Sequence, residues 1–407
     1  MQSLLVALLS VVLLAQRGEG LSIVGHRGGF SDNTSYVPEH SAAAYALGAY
    51  AGVAYLEPDV VSTKDHELMV MHGNDLGGTS DVAEKFPERV ATKVISGKNV
   101  TGYFTEDFTW AEISTLRLRA RAYGGQGALD GIYPFFRFSE MLEFTKTLAR
   151  ETNRWGELGV YPELKMPTYF RSLGLPLEEK YLQAAADAGY CTFDEAGFCA
   201  STTNGEAPGP FIAQSFYSAP LKYIQSHSEF QRVVLITSVV PRGPDKIKTA
   251  AQAEAYAKYA DIVALPISWG AENFTRATLL AQAAGLEVHG WTTDVDPAPY
   301  RMLVDLGVTA TFSNNANFAD GVLQQMRQPQ SEPDDDDAPD DDDAPDDDDA
   351  PCGDVPTEGS TGVPHHHGTG IAIGMVIGGV LGVLVGAGPV QVLRARYNSN
   401  RYHDIEG

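Results

Sequence analysis

Two carboxylates and an imidazole stand close together in residues 54–72, AYLEPDVVSTKDHELMVMH. Glu57 and Asp59 are two positions apart in an apolar run, and a strand projects such residues to one face. The turn TKDHE is too short for a parallel crossover, so we predict a hairpin that folds His72 back beside Glu57. This arrangement predicts a hard-cation site with an acid/base group beside it. A polar strand edge with an incidental histidine is the alternative.

Cations stand at the ends of two further apolar runs. The run SIVGHR ends in His26 and Arg27, and the run GVYPELK ends in Glu163 and Lys165, which are two residues apart. A guanidinium or ammonium group fixed at the end of a strand suits a phosphate or a carboxylate. We therefore predict that Arg27 and Lys165 bind an anionic group of a ligand.

Three carboxylates and two imidazoles complete the predicted site. Glu57, Asp59 and Glu163 could converge on one divalent ion, and oxygen ligands favour Ca²⁺ or Mg²⁺ over zinc. His26 and His72 have ordinary pKa values of about 6.5, so both can exchange protons near neutral pH. A cation, an anion clamp and two imidazoles fit metal-assisted cleavage of a phosphodiester.

Strand-like runs alternate with helix-like segments, which favours a parallel α/β sheet. The runs span residues 22–27, 54–62, 68–72, 159–165, 210–216, 232–237, 261–266, 287–293 and 309–314. Polar residues collect at the C-terminal ends of several runs, where a TIM (β/α)8 barrel places its active site. Nine runs are one more than the eight strands of such a barrel, and the second strand of the hairpin would account for the extra one. A doubly wound open sheet is the alternative, but nothing resembles its Gly-rich dinucleotide turn.

The polar stretch 73–140 separates the hairpin from the next strand. It lacks strong strand runs and contains acidic–aromatic segments, so we predict an insertion with helical pieces after the second–third strand hairpin. Amphipathic or small-residue patterns predict helices at 141–150, 251–260 and 276–285. The globular domain is predicted to span residues 21–328.

Composition limits the classes of function. The chain has 407 residues, is 43% hydrophobic and carries a formal net charge of −24, of which twelve charges belong to aspartates in three DDDDAP blocks. The remaining −12 is typical of an acidic globule, and the length is ample for a large core. No basic patch stands out, so nucleic acid is not an expected partner.

The two ends of the chain predict a membrane-anchored protein. Residues 1–20 contain an apolar run of signal-peptide length, and residues 371–393 are uncharged over a length that can span a bilayer. Arginines follow that span, so residues 394–407 are predicted to be a cytoplasmic tail. In this single-pass type I arrangement the barrel is extracellular or lumenal. The acidic segment 329–370 is predicted to be a disordered stalk, with weak Ca²⁺ accumulation as an alternative role.

Glycines recur every four residues in the predicted span, at Gly374, Gly378, Gly382 and Gly386. This spacing is typical of helix pairing, so a homodimer is a hypothesis for the span.

Three cysteines are too few for a disulfide scaffold. Cys191 and Cys199 favour a local disulfide over free thiols in an oxidising compartment, which leaves Cys352 as the odd cysteine. Glycosylation sequons begin at Asn33, Asn99 and Asn273.

An ordered set of motifs resembles the glycerophosphodiester phosphodiesterases, and within them the secreted, periplasmic-type branch. The resemblance covers roughly residues 22–320. It rests on GHRG (25–28), PEHS (38–41), LEPDV with TKD (56–65), His72, DVAEKFPER (81–89), DFTWAEISTLR (107–117), YPELK (161–165), QSF (214–216) and GWTTDVD (290–296). It implies a TIM barrel that hydrolyses deacylated phospholipids such as glycerophosphocholine to glycerol 3-phosphate and an alcohol.

The resemblance also implies roles for individual residues. These are His26 and His72 as the acid/base pair, Glu57, Asp59 and Glu163 as metal ligands, Arg27 and Lys165 as the phosphate clamp with Glu39 as a nearby support, and Phe216 and Trp291 as the glycerol side of the pocket. The implied mechanism uses the glycerol 2-hydroxyl as internal nucleophile, and water then opens a cyclic phosphate. Either histidine could be the base.

One departure from the family pattern concerns His72. The family usually has His-Asp where this chain has His72-Gly73, so either His72 is less well oriented or Asp75 takes over. Ser41 stands where threonine is usual, a mild change. Two alternative functions remain. One is a phospholipase D-like enzyme acting on lysophospholipids or sphingomyelin, as related barrels do. The other is a catalytically weak barrel that serves as a surface binding module, which Gly73 would favour.

Overall fold

The computed structural model describes residues 20–30, 37–121, 127–202, 206–237 and 247–328. The predicted stalk, transmembrane segment and tail, and residues 1–19 of the predicted signal peptide, lie outside these ranges, as do Asn33 and Cys352. Within the described ranges, the helices are too short or too polar to cross a bilayer.

The strands are β1 Ser22–His26, β2 Tyr55–Glu57, β3 Asp59–Ser62, β4 Leu68–Val70, β5 Ala91–Ile95, β6 Lys98–Gly102, β7 Gly159–Val160, β8 Glu163–Leu164, β9 Cys191–Phe193, β10 Cys199–Ser201, β11 Ile212–Ser215, β12 Gln231–Leu235, β13 Ile262–Pro266, β14 Glu287–Thr293 and β15 Ala310–Ser313. The α-helices are α1 Ala42–Tyr50, α2 Val82–Lys85, α3 Trp110–Ile113, α4 Phe138–Glu151, α5 Pro167–Ser172, α6 Glu178–Asp187, α7 Ser218–His227, α8 Ala250–Ala257, α9 Ala271–Ala283, α10 Ala298–Asp305 and α11 Ala316–Arg327.

Parallel pairing joins the strands into a ring. β1 pairs with β2 on one side and with β15 on the other. From β2 and β3 the pairing continues through β7 and β8 to β11, and then through β12, β13 and β14 back to β15. The predicted TIM-barrel-like α/β fold is confirmed, with helices after most strands.

Two of the predicted strands are each divided in two by a proline. Pro58 separates β2 from β3, and Pro162 separates β7 from β8. Proline has no N–H to donate, which interrupts the ladder. Its carbonyl still accepts, from the N–H of Glu163 at Pro58 (2.8 Å) and from that of Gln214 at Pro162 (3.1 Å). Each divided strand therefore keeps its place in the ring.

The predicted hairpin is confirmed. β4 pairs antiparallel with β3, and Val60 lies opposite Val70. β4 has no parallel partner among the described strands, so it lies outside the ring and accounts for the ninth apolar run.

Two small antiparallel sheets lie outside the ring. β5 and β6 form a hairpin in the stretch for which only helical pieces were predicted. Its turn residues Ser96 and Gly97 have φ of 52° and 77°, the positive values that tight hairpin turns require. β9 pairs with β10, and the predicted disulfide between Cys191 and Cys199 is confirmed, with Cα atoms 5.5 Å apart.

The barrel strands are apolar on both faces because helices cover the outside. Val233 and Leu235 of β12 point into the barrel, where they pack with Tyr161 and Phe312, while Val234 packs in the layer under the helices. This arrangement explains continuous apolar runs without alternation.

Close packing of α1 against the loop after β1 is the basis of a first prediction. A Cβ on Gly48 would overlap the carbonyl oxygen of Gly28, which follows Arg27 directly. We expect Gly48→Ala to destabilise the fold by about 1–3 kcal/mol through overpacking. Gly321 is also in a helix, but a Cβ there meets nothing within 4 Å. Gly321→Ala should stabilise the fold by about 0.5–1 kcal/mol, and equal effects of both variants in urea unfolding would contradict the prediction.

Candidate active site

The parallel register places the predicted carboxylates and His26 side by side on neighbouring strands. His26 is opposite Glu57 across the β1–β2 pair, and Asp59 is opposite Glu163 across the β3–β8 pair. Glu163 is in turn opposite Gln214 of β11. Four adjacent strands of the barrel therefore contribute side chains to one edge of it.

The three predicted metal ligands form one cluster. Glu57, Asp59 and Glu163 are buried, and each offers an oxygen within 4.8 Å of the others. Burial, and next the charge of Asp59, raise the pKa of Glu57 well above its ordinary value. Three carboxylates at this separation repel one another unless a cation lies among them. An all-oxygen donor set with this excess of negative charge fits a divalent hard cation such as Ca²⁺ or Mg²⁺.

Lys165 is the buried cation of this cluster. Its Nζ lies 3.1 Å from Glu163 Oε1 and 3.6 Å from Asp59 Oδ1. Burial opposes ionisation of Asp59, but Lys165 and a hydrogen bond from His40 hold the pKa of Asp59 well below its ordinary value. Lys165 therefore keeps one carboxylate charged where burial alone would neutralise it.

Arg27 contacts the cluster through both its backbone and its side chain. Its φ of 54° is left-handed, and its N–H donates to Glu57 Oε2 at 2.8 Å. Its Nη1 donates to Glu39 Oε2 at 3.1 Å, and its Nε lies 3.7 Å from Asp59 Oδ2. The structure thus brings Arg27, Glu39 and the carboxylate cluster together, as predicted.

Glu39 bridges two arginines, Arg27, which was predicted at the site, and Arg121, which was not. Arg121 donates to Glu39 through Nη2 at 2.7 Å and through Nε at 3.3 Å. Burial opposes ionisation of Glu39, but Arg121 and Arg27 hold its pKa well below the ordinary value. No local motif identifies Arg121, because its partner is 82 residues away.

His40 and Gln214 are two further site residues without a predicted role. His40 is buried, with Nε2 2.9 Å from Asp59 Oδ2 and Nδ1 2.8 Å from Tyr45 Oη. Gln214 Nε2 donates to Glu57 Oε1 at 2.9 Å. Both orient predicted metal ligands. The motifs PEHS and QSF were the available signals, since PEHS places His40 next to Glu39 and QSF places Gln214 two residues before Phe216.

His26 is held by a chain of two hydrogen bonds. Asn314 Nδ2 donates to Asp294 Oδ1 at 2.6 Å, so the amide oxygen Oδ1 faces His26 Nδ1, at 2.5 Å. An amide oxygen only accepts, so Nδ1 carries the proton and Nε2 of the neutral ring keeps a lone pair. Burial, and next the charge of Arg27, lower the pKa of His26 well below 6.5. The ring is therefore neutral and basic at Nε2 at neutral pH.

His72 follows the outer strand β4. The N–H of Met71 donates to the carbonyl of Asp59 at 2.9 Å, which fixes the chain next to the cluster. Gly73 has a φ of 80°, a left-handed conformation that glycine adopts without strain. Asp75 Oδ1 accepts from the N–H groups of Gly77 (2.9 Å) and Tyr103 (2.8 Å). Asp75 thus fastens the loop after His72.

The predicted aromatic residues lie together at the same edge. Phe216 and Trp291 contact each other edge to face with ring centroids 5.7 Å apart. Lys165 Nζ lies 5.7 Å from the centroid of Phe216. This contact places the aromatic pair beside the charged cluster, so the site combines an apolar wall with a polar one.

Comparison with known proteins agrees with this geometry. The profile of the glycerophosphoryl diester phosphodiesterase family matches residues 26–317. The chain belongs to this family. A glycerophosphodiester phosphodiesterase from Arabidopsis thaliana is 29% identical over 58% of this chain and 61% of its own length. One from Haemophilus influenzae is 31% identical over 41% of this chain and 46% of its own length. The chain thus spans between about half and three fifths of these relatives.

A solved structure shows the same fold at low sequence identity. It is a phosphodiesterase from Oleispira antarctica in complex with the product sn-glycerol-3-phosphate. The match has a TM-score of 0.50 and 17% identity, and it covers 74% of this chain and 96% of that one.

Metal binding is the second prediction. Calorimetric titration of the full chain with Ca²⁺ and with Mg²⁺ should give one site. We expect Glu163→Gln to weaken binding by about tenfold or more, because a charged ligand becomes neutral. Asp261→Asn is the matched control, since Asp261 pairs with Arg232 and not with the cluster. Equal affinities for the wild type and Glu163→Gln would contradict the assignment.

The proton on His26 is the third prediction. In ¹⁵N-histidine-labelled protein, we expect His26 to be protonated at Nδ1 and to gain its second proton below pH 6.5. The unfolded chain binds that proton first as the pH falls below about 6.5, so the unfolding free energy should fall by up to about 1.4 kcal/mol per pH unit. His26→Gln should flatten this slope. Asn314→Leu removes the acceptor and should mix the two tautomers; an unchanged tautomer would contradict the hydrogen-bond chain.

Proposed function

We propose that the protein hydrolyses glycerophosphodiesters, such as glycerophosphocholine, to glycerol 3-phosphate and an alcohol. The observation that carries this proposal is the convergence of three buried carboxylates, two cations and His26 at one edge of the barrel. Family membership supports it, as do the names of the relatives and the product bound to the Oleispira protein.

The cation would be held by Glu57, Asp59 and Glu163, and either Ca²⁺ or Mg²⁺ suits these oxygen ligands. When bound, it would neutralise charge on the phosphoryl oxygens. Arg27 and Lys165 are proposed to bind the phosphate group, because both stand beside the cluster with charged donors. Glu39 would keep Arg27 in place, and Phe216 and Trp291 would line the glycerol side.

We assign the base role to His26 and the acid role to His72. Neutral His26 has its lone pair on Nε2, so it can take the proton of the glycerol 2-hydroxyl as that oxygen attacks phosphorus. The bond from phosphorus to the alcohol oxygen then breaks, and His72 gives that oxygen a proton. Water opens the cyclic phosphate with the two roles reversed, which returns both histidines to their starting forms.

The site of action is proposed to be outside the cytosol. The apolar run in residues 1–20 and the uncharged segment 371–393 support a single-pass type I protein with an extracellular or lumenal barrel. The disulfide between Cys191 and Cys199 supports an oxidising compartment. Pairing of the span through its regularly spaced glycines, attachment of the barrel by the acidic segment 329–370 and glycosylation at the sequons belong to the same proposal.

Turnover of glycerophosphocholine is the fourth prediction. The full chain should release glycerol 3-phosphate with Ca²⁺ or Mg²⁺, and a chelator should stop the release. We expect His26→Ala and His72→Ala each to lower kcat by about 10²–10⁴-fold, the usual contribution of general acid–base catalysis. His66→Ala is the matched control, since that ring binds only the carbonyl of Pro176 among the described residues.

The same experiment separates the alternatives. Release of headgroup from lysophospholipids or sphingomyelin, without turnover of glycerophosphocholine, would replace this function with a phospholipase D-like one. No turnover of any of these by folded, metal-loaded protein would leave the binding-module hypothesis.

A further inference from the structure

Glu106 is a buried carboxylate outside the catalytic cluster at which three separate parts of the chain meet. It lies in a short 3-10 helix, Thr105–Asp107, after β6. Its Oε1 accepts from Tyr169 Oη at 2.6 Å and from Lys93 Nζ at 2.8 Å. Asn74 Nδ2 lies 3.2 Å from Oε1 and 3.1 Å from Oε2.

Two of these partners, Asn74 and Tyr169, lie in segments that directly follow active-site residues along the chain. Asn74 stands two residues after His72, and Tyr169 stands in α5, four residues after Lys165. The path from Lys165 to α5 is short and constrained, because Met166 has a φ of 45° and Pro167 begins the helix. Hydrogen bonds on Glu106 therefore join the loop after His72 to the helix after Lys165.

The chemistry of the partners makes this junction strong. Bonds to a buried carboxylate are charge-assisted and weakly screened. Burial, and next the hydrogen bond to Glu106, raise the pKa of Tyr169 far above its ordinary value, so its hydroxyl remains a donor. Lys93 of β5 supplies the counter-charge and stacks over the ring of Phe104 at 4.7 Å.

The backbone at Gly73 explains why an anchor is needed there. Gly73 has no side chain and adopts a left-handed conformation, so it contributes no side-chain contact that could fix the loop directly after His72. Asn74, the next residue, is buried, and its amide provides a hydrogen-bonding side chain at that point. The N–H of Thr105 donates to the carbonyl of Asn74 at 2.8 Å, which adds a backbone tie to the same segment.

We propose that Glu106 is a positioning residue that couples the loop of His72 to the helix after Lys165. The proposal rests on the proposed function, because it assigns the two coupled segments to the acid and to the phosphate clamp of one reaction. Among the described residues, the hydrogen bonds of the Glu106 carboxylate go to Asn74, Lys93, Thr105 and Tyr169 and to none of the three predicted metal ligands. Glu106 holds the proton donor and the phosphate-binding cation in fixed relation during turnover.

Kinetics of four variants test the coupling. With glycerophosphocholine and saturating metal, we expect Glu106→Gln to lower kcat by about tenfold with KM changed less than about threefold, because misplacement acts mainly on the transition state. Tyr169→Phe and Asn74→Ala should each lower kcat several-fold. The double variant Tyr169→Phe/Asn74→Ala should have a kcat no lower than that of the slower single variant, because each substitution alone breaks the link through Glu106.

Asp107→Asn is the matched control. Asp107 accepts from the same Lys93 Nζ at 2.8 Å and is the next residue in the chain, but it is half-exposed and makes no hydrogen bond with Asn74 or Tyr169 among the described residues. It should keep the wild-type kcat and KM. A wild-type kcat in Glu106→Gln, or effects of Tyr169→Phe and Asn74→Ala that multiply, would overturn the coupling.

A spectroscopic readout separates this inference from the proposed function. In ¹⁵N-histidine-labelled full chain, Tyr169→Phe should shift or broaden the ring signals of His72, whereas Asp107→Asn should not. If the wild-type protein does not turn over glycerophosphocholine, the proposed function is refuted. The effect of Tyr169→Phe on the His72 signals would still test the coupling. Unchanged His72 signals in both Tyr169→Phe and Glu106→Gln would refute the coupling in an active enzyme as well.

Discussion

Charge balance among buried carboxylates is the constraint on which the site depends. Burial opposes ionisation of Glu57, Asp59 and Glu39 alike, yet their surroundings shift the three pKa values in different directions. Asp59 and Glu39 face fixed cations and keep low pKa values, whereas Glu57 lies beside Asp59 and has a raised one. The barrel therefore holds a negative pocket that is only partly compensated by protein cations. A pocket with this charge suits a divalent cation.

The strand register places Glu57 opposite His26 and Asp59 opposite Glu163. Glu57 and Glu163 end or begin strand segments that prolines interrupt, so each carboxylate stands at a point where the ladder is locally open. The proline carbonyls still pair with the neighbouring strand. The ring of strands therefore remains closed where the prolines interrupt it.

Much of this arrangement could be predicted from the sequence. Continuous apolar runs identify buried parallel strands, and the short connection TKDHE identifies the hairpin, because both signals are local. The hairpin β5–β6 was missed because half of its residues are exposed and no apolar run marks it. Arg121, Asn314 and Glu106 were missed for a different reason. Each acts on a partner distant in sequence, and only the folded chain brings the two together.

The closure between β1 and β15 has a consequence for chain order. Ser22 at the start of β1 lies opposite Ala310 and donates its N–H to Thr309 at 2.9 Å. Gly20 lies beside the guanidinium of Arg327 at the end of α11. The two ends of the barrel domain are thus neighbours. The ends of the domain could therefore be joined by a short linker. A circular permutant opened in another exposed connection would keep the same contacts between β1 and β15.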